Sequence, residues 1–148
     1  AEVEDLAATL REVAAPELVE LSLHGSNRCT SLAAVGAAVG AGALASLQAL
    51  NLFNCEKLTS LPVELGRLAL LHSLDLSYCE KLVKLPAELV NLKSLTALNL
   101  RHCNMLMGMP DLSGLPQLKV ENLPRHLEAW EAGGRKAGWF GVSGGARF

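Results

Sequence analysis

At 148 residues the chain has room for one domain, and half of those residues are hydrophobic while only 4% are aromatic, so the core is expected to be built from Leu and Ala rather than rings. A formal charge of −2 and the lack of a basic stripe argue against a nucleic-acid surface. Four Cys with no C-x-x-C pair and no Cys/His cluster argue against a metal centre, and nothing in the sequence calls for a cofactor. The chain opens at Ala1 without an initiator Met or a signal-like stretch, which reads as a processed product or a fragment.

In residues 1–17, Val3, Leu6, Leu10 and Val13 share one helical face with acids opposite, and Pro16 stops the run. This predicts an N-terminal capping helix. Leu18, Leu21 and Leu23 then open a first strand, followed by an irregular unit with an insertion around Gly25, Ser26 and Asn27. From Thr30 to Cys55 there is no charge, and Gly36 and Gly40 stand at a small-x-x-x-small spacing. Because Leu47, Leu50 and Leu52 of that stretch fall in register with the strands that follow, a membrane span is not expected. The small residues instead suggest a convex face that another helix could approach closely.

Three copies of one template follow, starting at Leu47, Leu71 and Leu95, each 24 residues after the last. Each reads L-x-x-L-x-L-x-x-C-x-x-L, then L-P or its equivalent Met109-Pro110, then further Leu positions. The third copy is one residue short. The alternation in L-x-L predicts a short strand with one buried face, and the wider spacing of Leu65 and Leu68 predicts a helical or extended return. No single unit covers its own Leu stripe, so copies must stack, with strands side by side in a parallel sheet. The returns are wider than the strands, which bends the stack into an arc with the sheet on the concave side. Leu118 and Leu123 begin a last, degenerate strand. After Pro124, Leu127 and Trp130 predict a short inward-facing helix ending at Gly133 and Gly134.

Over about residues 18 to 127 these motifs resemble the leucine-rich repeat family, in its plant-type branch with short 23–24-residue repeats and Cys at the ladder position. The resemblance implies an α/β fold: a leucine-rich repeat solenoid, a curved horseshoe with a parallel β-sheet on the concave side and helical caps at both ends. The expected organisation is a repeat domain over 1–134 and a Gly/aromatic tail over 135–148. Within the domain, 1–17 form the first cap, 18–123 the repeats and 124–134 the second cap. In related repeats the ladder Cys donates to main-chain carbonyls of the neighbouring loop, so Cys55, Cys79 and Cys103 are expected to be buried thiols. That mildly favours an intracellular reducing compartment, the cytoplasm or an organelle after removal of a transit peptide.

Side chains between the strand Leu residues should line the concave face in columns: Glu20, Ala49, Ser73 and Ala97; Ser22, Asn51, Asp75 and Asn99; His24, Phe53, Ser77 and Arg101. The second column should offer hydrogen-bonding groups on successive rungs. Phe53, Tyr78, Arg101 and His102 are residue types common at binding hot spots. The tail carries Arg135, Lys136, Trp139, Phe140, Arg147 and Phe148, basic and aromatic residues in a Gly-rich stretch that cannot form its own core. It is expected to lie on another protein. No nucleophile, acid/base pair or phosphate loop is present, so no enzyme activity is expected. The expected function is a non-catalytic protein–protein interaction module or scaffold, the role that leucine-rich repeats most often have. The alternative is an accessory structural subunit that stabilises a large complex, organellar membrane complexes included, with its tail docked on a neighbour. Partners are expected to be proteins.

Overall fold

The computed structural model describes residues 17–23, 32–140 and 146–147. Residues 1–16 of the predicted capping helix, the insertion at Gly25 to Asn27, His24 and Phe148 lie outside the described residues. Five three-residue strands form one parallel sheet: β1 (Glu20–Ser22), β2 (Ala49–Asn51), β3 (Ser73–Asp75), β4 (Ala97–Asn99) and β6 (Lys119–Glu121). Each pairs with its neighbours in sequence order, and the register sets Leu21, Leu50, Leu74, Leu98 and Val120 in one row. The four Leu of this row are buried, whereas the residues flanking them in β2, β3 and β4 are half-exposed. One face of the sheet therefore carries the core, as an L-x-L alternation dictates.

Parallel neighbours need a return segment on every rung. The first described return holds the helix α1 (Ala33–Gly40), and the next two hold single 3-10 turns, Val63–Arg67 and Ala87–Asn91. Pro62 and Pro86 stand just before these turns, where a missing N–H costs nothing. The copy that is one residue short has ordinary turns over 111–118 instead. Leu58, Leu61, Leu65 and Leu68, with their equivalents in the later copies, join the strand Leu residues in a single core. Past Pro124, a 3-10 turn (Arg125–Leu127) runs into α2 (Glu128–Ala132) and buries Leu127 and Trp130, whose indole N–H donates to the Pro110 carbonyl at 3.1 Å.

A second, smaller sheet lies among the returns. Its strands are β5 (Gly108–Met109), β7 (Gly138–Phe140) and β8 (Ala146–Arg147), paired antiparallel in that order, and Lys84 bridges to Gly108 on its other side. No helix among the described residues is long and apolar enough to cross a membrane; α1 has eight residues.

The small-residue face predicted for α1 is taken up within the chain. A Cβ on Gly36 would sit 2.8 Å from the Pro62 Cβ, so the next return fills the space expected to await a partner helix. Gly66 is tighter still, since a Cβ there would lie 2.6 Å from the Glu88 carbonyl oxygen, which is backbone and cannot turn aside. Gly66→Ala should therefore cost about 1–3 kcal/mol of stability. Gly40→Ala, with nothing closer than 3.9 Å at the end of α1, should be neutral or stabilising by up to about 1 kcal/mol. Urea denaturation of the two variants checks the difference, and equal stabilities would mean that the returns do not pack as described.

Candidate functional site

The outer sheet face is built from the strand residues that the core does not use. Asn51, Asp75 and Asn99 fall in one register column, but their side chains do not simply await a ligand. In each, Oδ1 accepts from a backbone N–H two residues on, at Phe53 (2.9 Å), Ser77 (2.9 Å) and Arg101 (3.1 Å). Asp75 Oδ1 also accepts from the Ser77 hydroxyl at 2.5 Å, and Asn99 Oδ1 accepts from Asn122 Nδ2 at 3.3 Å. The column expected to present hydrogen-bonding groups thus spends one acceptor per rung on ending its own strand. Short Asx side chains do this readily, because their oxygen mimics a turning backbone carbonyl. Ser22 is exposed on β1.

Beyond the strands the ladder continues: Leu52, Leu76 and Leu100 N–H groups donate to Asp75, Asn99 and Glu121 carbonyls at 2.9, 3.0 and 3.1 Å, and Asn54 and Tyr78 N–H groups donate to Ser77 and Arg101 carbonyls. Phe53, Ser77 and Arg101 are therefore true neighbours on successive rungs. Phe53 is 39% exposed, Arg101 is exposed, and Ser77 between them is buried at 3%. Ser77 was expected on the partner-facing surface and is instead its floor, because its hydroxyl is drawn in by Asp75.

One residue further along, Asn54, Tyr78 and His102 all adopt left-handed backbone, with φ of 61°, 62° and 58°. Asn and His are enriched in this conformation, whereas Tyr pays roughly 1–2 kcal/mol for it. The turn sets the rings side by side. Tyr78 meets Phe53 edge-on with centroids 5.4 Å apart, His102 stacks on Tyr78 at 4.6 Å, and the Arg101 guanidinium lies 5.9 Å from the Tyr78 ring centre. The structure thus brings together Phe53, Ser77, Tyr78, Arg101 and His102. The left-handed turn that gathers them was not read from sequence, although Asn54 before Cys55 was a usable signal.

Directly after this row the chain turns inward at the ladder Cys. Cys55, Cys79 and Cys103 are buried, and their thiols donate to the carbonyls of Leu23, Leu52 and Leu76 on the preceding rung, at 3.5, 3.3 and 3.0 Å. Burial, helped by the neighbouring Cys79, pushes the Cys103 thiol up from its ordinary 9.0 to about 12. As pH rises past 9.0 the unfolded chain loses this proton first, so its contribution to stability is intact below pH 9.0 and is lost progressively towards pH 12. Cys103→Ser, which keeps a donor but does not titrate there, should flatten the fall in stability over that range. Urea denaturation of both proteins across alkaline pH checks this, and parallel curves would refute it.

The tail occupies a different sheet from the aromatic row. Arg135, in left-handed backbone at φ 62°, forms an ion pair with Glu131 at 2.9 Å, donates to the Leu118 carbonyl at 2.8 Å and lies over the Trp130 ring. Lys136 donates to Ser113 Oγ at 3.1 Å and lies 3.7 Å from Asp111, whose carboxyl is held below its usual range first by the Ser113 hydroxyl and only weakly by Lys136. Phe140 is buried at 5% in the chain's own core, and its N–H donates to the Met107 carbonyl at 2.8 Å. This corrects the expectation that Phe140 anchors a partner: β5 offers an open edge, and an antiparallel strand satisfies it. Trp139 remains 46% exposed beside a cleft of about 310 Å³ bordered by Lys84, Met109 and Pro110. Arg147 pairs through its backbone with Trp139. Phe140→Ala should cost about 3–5 kcal/mol by thermal or urea unfolding; an unchanged stability would detach the tail from the core.

Among the described residues no group of three or more His, Cys, Asp and Glu side chains is placed to hold a metal ion. No protein-family model matches the chain, and no curated protein matches it.

Proposed function

We propose that this chain is a leucine-rich repeat protein, a curved α/β solenoid with its parallel sheet on the concave side, working as a non-catalytic protein–protein interaction module or scaffold. Support for the solenoid comes from five parallel strands in sequence order, one residue row in register, and one thiol per rung donating to the rung before. The buried thiols fit a reducing intracellular compartment. The partner-binding role is carried by one observation: Phe53, Tyr78 and His102, with Arg101 beside them, stand in contact along one edge of the sheet with Phe53, Arg101 and His102 exposed. Aromatic and Arg side chains in such a cluster bury much area at little entropic cost when a protein covers them.

A second reading, an accessory subunit of a large complex docked through its tail, is favoured by exposed Trp139 and the adjoining cleft. It loses Phe140, which is already committed within the chain. The two readings separate by affinity capture of the partner with paired variants. Ala97→Arg places a bulky charge on the outer sheet face and should weaken capture by about tenfold or more, equivalent to about 1.4 kcal/mol. Trp139→Ala should leave capture unchanged. The reverse result, loss with Trp139→Ala and none with Ala97→Arg, would overturn the sheet-face reading and assign the partner to the tail.

A further inference from the structure

We infer that residues 130–140 form a strap that stands in for one further repeat beyond β6, and that Arg135 is the latch that keeps it shut. The inference concerns how this end of the stack is closed, and it holds whichever surface receives a partner.

Two rows of carbonyls show the substitution. The residue before each strand of the parallel sheet offers its carbonyl to the next rung: Val19 accepts from the Gln48 N–H at 2.7 Å, Gln48 from His72 at 2.8 Å, His72 from Thr96 at 2.9 Å and Thr96 from Lys119 at 2.8 Å. Leu118 comes next in that row, and its carbonyl accepts from Arg135 Nη1 at 2.8 Å. Among the returns, the Thr59 carbonyl accepts from the Val83 N–H at 3.1 Å and the Val83 carbonyl from the Met107 N–H at 2.8 Å. The Met107 carbonyl then accepts from the Phe140 N–H, again at 2.8 Å. Both rows thus end on the strap, at the points where a further rung would have donated.

The shortness of the third copy creates a second need. In the earlier copies the 3-10 turns close through the Leu65 N–H to the Pro62 carbonyl at 3.3 Å and the Leu89 N–H to the Pro86 carbonyl at 3.2 Å. Leu112 follows Pro110 by two residues rather than three, so the equivalent turn cannot close. The Pro110 carbonyl accepts instead from the Trp130 indole, and the Leu112 N–H donates to the Arg135 carbonyl at 2.9 Å. Arg135 therefore serves both needs, with its side chain on Leu118 and its carbonyl on Leu112.

Its conformation fits that task. After Gly134 at φ 80°, Arg135 stands in left-handed backbone at φ 62°, which a residue with a side chain keeps only where its surroundings fix it. Here two hydrogen bonds to Glu131, the Trp130 ring and the bond from its own N–H to the Trp130 carbonyl do so. The chain then enters β7, which pairs along β5. With the strap shut that edge of β5 is taken, and an extended segment of another molecule can pair there only after the strap opens.

Amide hydrogen exchange followed by NMR at Phe140 and Leu112 tests the latch, with Leu76, whose N–H donates to Asn99 in the middle of the stack, as internal reference. Arg135→Ala should speed exchange at Phe140 and Leu112 by at least about tenfold and leave Leu76 unchanged. Glu131→Gln, which weakens the ion pair and leaves the bond to the Leu118 carbonyl in place, should change all three by less than about threefold. If Arg135→Ala unfolds the chain, so that Leu76 exchanges as fast as Phe140, Arg135→Lys carries the test. A single ammonium cannot hold Glu131 and the Leu118 carbonyl as the guanidinium fork does, so faster exchange at Phe140 and Leu112 is expected there with Leu76 still protected. Unchanged exchange at Phe140 in the variant that carries the test would overturn the inference, because the tail would then be held without Arg135. An effect of Glu131→Gln equal to that of the Arg135 variant would overturn it too, by reducing the latch to a surface ion pair.

Discussion

Where each strand ends, the chain must turn inward without leaving a peptide carbonyl buried and short of a partner, and the ladder thiol is what meets that demand. The Leu52 carbonyl accepts from the Cys55 N–H of its own rung at 3.2 Å and from the Cys79 thiol of the next at 3.3 Å; the Leu76 carbonyl does the same with Cys79 and Cys103. Each rung thus completes the one before it, and no single unit is satisfied alone. A side chain that must reach one carbonyl on an adjacent rung fixes the register, which holds although paired residues are 29, 24, 24 and 22 apart in sequence, so differences in length are taken up in the returns.

The same turn decides what the surface can present. To bring Cys inward, the residue before it adopts left-handed backbone, at Asn54, Tyr78 and His102, and the Asx two residues before the turn begins caps the strand. Tyr78 and His102, at the left-handed position of their rungs, and Phe53, one position before it on its own, consequently come close enough to touch, with Tyr78 half-buried between two exposed rings. Their neighbourhood is a by-product of a core requirement, whereas their identity is not, since the backbone there prefers Asn or Gly.

Much of the fold was legible because it is periodic. The L-x-L triplets identified the first four strands of the parallel sheet, the degenerate last one was read from Leu118 and Leu123 although Val120 takes the row position, and the in-register Cys identified a row of buried donors. The rest depended on distances that a pattern does not carry. Whether a return of fixed length winds as α1 or as a 3-10 turn is settled by how closely neighbouring returns approach, as at Gly36 and Gly66. The tail misled for a related reason. Read alone, a Gly-rich segment with exposed aromatics needs a foreign surface, but the shortened third copy leaves β5 with an open edge that β7 fills, and Phe140 follows it into the core. For the candidate site, the sequence supplied the residues but not their state: Asn51, Asp75 and Asn99 were read as open hydrogen-bonding groups, and Ser77 as exposed.

Structural and non-structural side chains are therefore separable by how completely their needs are met inside the chain. Among the described residues no buried side-chain nitrogen or oxygen lacks a hydrogen bond; Arg135 is held by Glu131 and the Leu118 carbonyl, and Lys136 by Ser113 and Asp111. Arg101 lies instead beside the Tyr78 ring, with its own strand capped by Asn99. Because the repeat constrains only buried Leu, the thiol and the turn, the exposed positions between them are free to differ from rung to rung. Phe53, Ser77 and Arg101 do differ, in size, in charge and in exposure, on three rungs whose buried Leu and Cys positions are alike.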